Sequence, residues 1–152
     1  MDTMPRLLTL VIFALLPMLA RSDGYICTQD MVTGFAHEEN GIWRQGRFKP
    51  DHQFIVRPAT ESERTLSALR GERNATNNKW VVQPRGLDLI AVCPDDFKAD
   101  GSLVCRGVIE EFRMNKNSLR FLWAYLSGYW DAPPGNETSD TPTIAIGKCT
   151  PM

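Results

Sequence analysis

The sequence predicts an all-β, mostly antiparallel fold, a small disulfide-stabilised barrel or sandwich of about eight strands. Short runs rich in Val, Ile, Phe, Tyr and Trp recur along the chain, separated by Gly, Pro, Asn and Asp. Their spacing is that of a sandwich or barrel, not of alternating strands and helices. The chain holds four cysteines, an even count, and in an exported protein that reads as a disulfide framework.

Residues 1–22 read as a secretory leader. Arg6 opens it, Leu7 to Ala20 is apolar apart from Thr9 and Pro17, and Ala20-Arg21-Ser22 offers small residues for cleavage. A run of about 14 residues is short of the ~20 that a spanning helix needs. Cleavage leaves residues 23–152 as a single β-rich domain. With Arg6, Arg21 and Asp2 removed, 15 basic and 17 acidic residues remain, and no run of like charge stands out. That balance argues against nucleic acid and against an anionic membrane surface as partners. No membrane insertion is expected after cleavage.

Taken in order, residues 24–35 form a strand entering a turn at Thr33-Gly34-Phe35. His37 to Gly41 is a polar link with an Asn-Gly turn signal. Ile42 to Phe48 and Gln53 to Ala59 are strands, with Pro58 ending the second or marking an edge. Thr60-Glu61-Ser62-Glu63 fits a capping box, so 61–72 reads either as one short helix or equally as an irregular polar excursion, with only Leu66 and Leu69 as large apolar residues to bury. Asn74 to Asn78 is a loop. Trp80 to Gln83 and Leu89 to Cys93 are strands around Pro84-Arg85-Gly86, and Pro94 to Gly101 is a polar loop. Val104 to Trp130 is the densest aromatic block, a long hairpin about Asn115 to Ser118. On its first arm Val104, Val108, Phe112 and Met114 share a face that Arg106 and Glu110 interrupt. Its second arm carries helical spacing at Leu119, Leu122, Trp123 and Leu126, with Ser118 as a cap. The aromatic density and the β-rich surroundings favour a strand there. Asp131 to Thr141 is a loop, and Thr143 to Cys149 is the last strand.

Three disulfide pairings are possible. Cys93–Cys105 is favoured, being close in sequence across the Asp-rich loop, which leaves Cys27–Cys149 to tie the ends of the mature chain. Cys27 joined to Cys93 or Cys105 is the alternative. Each closure contributes about 3 to 5 kcal/mol in the chain-entropy view, the longer loop more. No Cys-x-x-Cys is present, and no short Cys or His spacing suits zinc.

Catalytic motifs are missing from the sequence. His37 and His52 sit in polar segments beside acids, with no nucleophile elbow in the chain. The acids at Asp95, Asp96 and Asp100 do not follow the calcium-loop spacing. Glu110 and Glu111 are adjacent, so a strand points them to opposite faces and they cannot form a glycosidase pair alone. Trp43, Trp80, Trp123 and Trp130 suit a core first and a sugar or apolar recess second. Asn74-Ala-Thr and Asn136-Glu-Thr are sequons that mark surface. No catalytic, cofactor-binding or metal-ligating residue is assigned, and no cofactor is expected.

The pieces Tyr25-Ile-Cys, Thr33-Gly34-Phe35, Phe54-Ile-Val-Arg-Pro, Trp80-Val-Val-Gln, Phe112-Arg-Met-Asn, Leu119-Arg-Phe-Leu, Tyr125-Leu-Ser-Gly-Tyr, Asp140-Thr-Pro and Ile146-Gly-Lys-Cys together resemble a family of small exported, uncharacterised proteobacterial proteins. The resemblance spans most of the mature chain and is most specific in its last third. It implies a periplasmic location and carries over no catalytic residue.

The expected function is that of an exported, non-enzymatic binding protein, for a small apolar or sugar-like ligand or for an envelope protein. One version is an inhibitor that presents the Asp95 to Gly101 loop. The alternative is a carboxylate-dependent hydrolase acting on cell-envelope material.

Overall fold

The computed structural model describes residues 23–38, 42–69, 79–88, 91–130 and 141–152, with backbone alone over 66–69. The expected leader, the Asn40-Gly41 turn, both sequons, Leu89-Ile90 and most of the 131–141 loop lie outside the described residues.

The described residues form nine antiparallel strands in one sheet: β1 Tyr25–His37, β2 Trp43–Phe48, β3 Gln53–Pro58, β4 Trp80–Pro84, β5 Ala91–Cys93, β6 Ser102–Arg106, β7 Glu110–Asn115, β8 Arg120–Tyr125 and β9 Thr143–Pro151. Neighbours follow the order β2-β1-β3-β4-β5-β6-β7-β8-β9, and β1 also pairs with β9. Eight strands therefore close a barrel, and β2 is an extra strand laid on the far half of β1. No helix among the described residues is long and apolar enough to cross a membrane.

Strand β1 allows both arrangements because of a bulge. Its register with β9 shifts between Gln29 and Met31, and one extra residue turns every later side chain to the opposite face. Cys27 and Gln29 are buried before the bulge and Val32 after it. The first half pairs with β3 and the second with β2. The turn expected at Thr33-Gly34-Phe35 is instead continuous strand. The glycine is needed there because a Cβ at Gly34 would collide with the backbone around Pro142.

The hairpin expected over 104–130 is a three-strand meander. Its first arm breaks at Gly107, where Gly107 N donates to Glu110 O at 2.9 Å and Arg106 faces Glu111 across the β6–β7 ladder. Val108 therefore sits at a loop tip, fully exposed, and not on the core face. On β6 the inward residues are Leu103 and Cys105, both buried. The second arm is a strand, with Phe121 buried and Trp123 packed on the core. Leu119 belongs to the preceding turn at φ 55°, and its carbonyl accepts from Cys149 N at 2.8 Å.

An eight-stranded barrel has an interior just wide enough for side chains to fill, and this one is filled. Phe54 is the hub, with ring centroids 5.4 Å from Phe112, 5.6 Å from Phe121 and 5.4 Å from Trp123. Phe112 and Phe121 stack at 5.2 Å. Gly147 leaves the space the Phe121 ring occupies. Both disulfides lie in the interior between directly opposed residues of neighbouring strands. Cys27–Cys149 joins β1 to β9 and Cys93–Cys105 joins β5 to β6. Such bridges indicate an oxidising compartment outside the cytoplasm.

The helix α1, Glu61–Leu69, begins with the expected box. Thr60 N donates to Glu63 Oε2 at 2.8 Å and Glu63 N to Thr60 Oγ1 at 3.3 Å. Arg57 on β3 grips the same carboxylate through both guanidinium ends, at 2.9 and 2.6 Å. That bond is the main reason Glu63 is lowered to about 2.

Two outcomes follow for stability. Removing Cys27–Cys149 by paired Cys→Ala changes costs about 2 kcal/mol more than removing Cys93–Cys105 in urea unfolding, because its sequence separation is 122 against 12. Equal losses would contradict this. For Glu63 the folded carboxyl titrates below its ordinary value of 4.5. Its contribution is full above that value and lost as pH falls towards about 2. Glu63→Gln is therefore less stable than the parent at pH 7, and the gap closes on acidification, where parallel curves would refute the pairing.

Candidate functional site

The barrel has two ends of different chemistry. The base is where β1 begins and β9 finishes. Tyr25, Trp80 and Phe97 plug it, with centroids 5.9 Å apart for Tyr25 and Phe97 and 5.0 Å for Trp80 and Phe97. Lys116 Nζ lies 5.2 Å from the Phe97 ring centre. The Pro94 to Gly101 loop is fixed here. Asp96 accepts from Trp80 Nε1 at 2.8 Å and from Lys79 Nζ at 3.0 Å. The lysine, then the indole, holds its carboxyl below the usual range. Asp100 O accepts from Asn115 and Asn117, each at 3.0 Å. The loop thus turns its one aromatic residue into the plug and leaves mainly polar groups outside.

The opposite end, the mouth, keeps an open recess of about 280 Å³ lined by His52, Phe54, Pro84, Leu87, Glu110, Trp123, Tyr125, Thr141 and Thr143. Its floor is the Phe54 hub. Alternation places it: Trp123 and Tyr125 follow Phe121 on the inward face of β8, and Glu110 faces Tyr125 across the β7–β8 ladder. The surrounding loops carry exposed apolar residues, among them Leu87, Val108, Leu126 and Trp130.

Glu110 is the one carboxylate among the described lining residues. Its Oε2 accepts the Trp123 indole N–H at 2.9 Å. Arg106 does not reach it. That guanidinium binds Glu111 Oε2 at 3.0 Å, and Arg113 holds the other oxygen of Glu111. These two bonds lower the Glu111 carboxyl, Arg106 foremost. Arg106 and Glu110 both interrupt one apolar face in the sequence, yet the break at Gly107 separates their fates.

His52 is more than a solvated loop residue. It precedes β3 in the mouth wall, 6.2 Å from Trp123 between ring centroids, with Nε2 3.5 Å from Asp51 Oδ1. Its backbone N donates to Gln29 Oε1 at 3.2 Å. His37 is half-buried at the end of β1 against Trp43, 5.2 Å between centroids. Of the four tryptophans, Trp80 and Trp123 pack on the core, Trp43 lies at the rim beside Tyr129, and Trp130 is 75% exposed. Among the described residues no group of His, Cys, Asp and Glu is placed to hold a metal ion.

No family model, curated protein or solved structure matches the chain. The chemistry of the mouth stands on its geometry alone. Aromatic walls offer flat apolar faces, and one carboxylate offers a directed acceptor. A glycosidase needs two facing carboxyl groups, and the described lining supplies one.

Glu110→Gln keeps an oxygen to accept the Trp123 indole and removes a charge that no described cation balances. Its stability in urea unfolding is expected within about 1 kcal/mol of the parent. A loss above about 2 kcal/mol would show that the charge itself is held by the fold.

Proposed function

We propose that this is an exported, non-enzymatic binding protein that takes a small ligand in the mouth of its barrel. The observation that carries the reading is a filled, doubly bridged barrel with an apolar, aromatic-walled recess at its mouth. The hollow at the base is larger, about 570 Å³, but Asp23, Asp96 and Lys116 line it beside Tyr25, Trp80 and Phe97. A recess of about 280 Å³ sits at the low end of the ~300 to 1,000 Å³ usual for small-molecule sites, so the ligand is about the size of one ring. The leader pattern over 1–22 and the two disulfides support a periplasmic or secreted location, as does the resemblance to small exported proteobacterial proteins.

Recognition at the mouth fits the physical roles of its parts. The faces of Trp123, Tyr125 and Phe54 remove apolar surface from water. Glu110 orients the ligand, and the bridged barrel holds the wall rigid, which limits the entropy lost on binding. The inhibitor version is less well supported, since Phe97 of the Asp95 to Gly101 segment packs into the base. The hydrolase alternative lacks a second carboxylate among the described lining residues.

The two core tryptophans make the test direct. Trp123 reports the mouth and Trp80 the base through separate indole N–H signals in a nitrogen–proton NMR spectrum. A screen of ring-sized neutral, sugar and charged compounds is expected to move the Trp123 signal and leave that of Trp80 in place. Hits that move only Trp80, or turnover of peptidoglycan fragments, would overturn the proposal.

A further inference from the structure

The barrel contains the same pair twice, a tryptophan indole donating to a carboxylate, once at each end. At the base the pair is Trp80 and Asp96, 2.8 Å apart, and Lys79 completes it with an ion pair at 3.0 Å. At the mouth the pair is Trp123 and Glu110, 2.9 Å apart, and no described cation completes it. The partly buried acids Glu63 and Glu111 each hold arginine, Arg57 for the first and Arg106 with Arg113 for the second. Glu110 is partly buried too, yet its partner among the described residues is a neutral N–H. His52, also in the wall, turns Nε2 towards Asp51.

An acid withdrawn among aromatic faces without a counter-charge costs free energy, and a ligand cation would recover it. Trp123, Tyr125 and Phe54 strengthen the preference. The face of an aromatic ring attracts a cation, and most strongly where water is excluded. We infer that the mouth selects a small organic cation, an alkylammonium whose charged head meets Glu110 while its hydrocarbon part lies on Trp123, Tyr125 and Phe54. This rests on the proposal that the mouth is the binding site and specifies its ligand.

The probes are cyclohexylammonium, its neutral counterpart cyclohexanol, and methyl α-glucoside. Each is titrated into the protein while the Trp123 and Trp80 indole signals are followed. Cyclohexylammonium is expected to bind about tenfold more tightly than cyclohexanol, and raised sodium chloride to weaken the ammonium alone. In Glu110→Gln the ammonium falls to the affinity that cyclohexanol has for the parent, and an unchanged urea midpoint with the Trp80 indole signal in its parent position shows that the variant keeps its fold. Cyclohexanol or the glucoside binding the parent at least as well as the ammonium would overturn the charge inference and leave the binding reading intact. So would ammonium binding that Glu110→Gln does not change. If none of the three moves Trp123, the charge inference fails and the mouth itself loses its support.

Discussion

The antiparallel ladder between β1 and β9 sets the first described strand beside the last, and the Cys27–Cys149 bridge fixes it where the two cysteines face each other. An open sheet of these strands would leave two long unpaired edges, which invite pairing with other chains. Closure removes the edges of the eight barrel strands. β1 then has a second demand on it, since it must meet β3 with one half and β2 with the other. The bulge at Gln29–Met31 meets that demand by exchanging inward for outward residues midway along the strand.

Closure also decides where a ligand can go. Inward residues from eight strands converge on Phe54, so the middle of the barrel is solid. Within the described barrel, interior space survives at its two ends, where strands stop at different heights and loops take over. At the base, Phe97 folds back onto Tyr25 and Trp80, and Lys79 neutralises Asp96. At the mouth, β7 and β8 bring Glu110 and Tyr125 face to face above the hub, and the loops around them carry apolar residues outward. The asymmetry of charge follows from the loops. At the base the loop's carboxylate, Asp96, meets Lys79 from just before β4, whereas Arg106 and Arg113, the arginines near Glu110 in sequence, are both held by Glu111.

Much of the architecture is readable from local pattern. Alternation along Gln53–Pro58 and Thr143–Cys149 gives those strands, since one face of each meets the interior. The capping box at Thr60–Glu63 gives the helix start. Short separation makes Cys93–Cys105 the natural pair. The second arm of the meander shows helical spacing, but Phe121, Trp123 and Tyr125 match a strand with one inward face, and pairing on both sides holds it extended. What the pattern hides depends on register between distant segments. Gly107 looks like an interior glycine until Arg106 is set opposite Glu111. Gly34 looks like a turn until the chain near Pro142 passes across it. His52 and Glu110 are 58 positions apart in sequence, and only closure puts them in one wall.

The account rests on β1 and β9 being neighbours, and non-reducing peptide mapping by mass spectrometry tests this most directly. The closed barrel requires one cross-linked peptide joining Cys27 to Cys149 and another joining Cys93 to Cys105. A peptide joining Cys27 to Cys93 or to Cys105 would contradict the closure, and with it the filled core and the mouth built upon it.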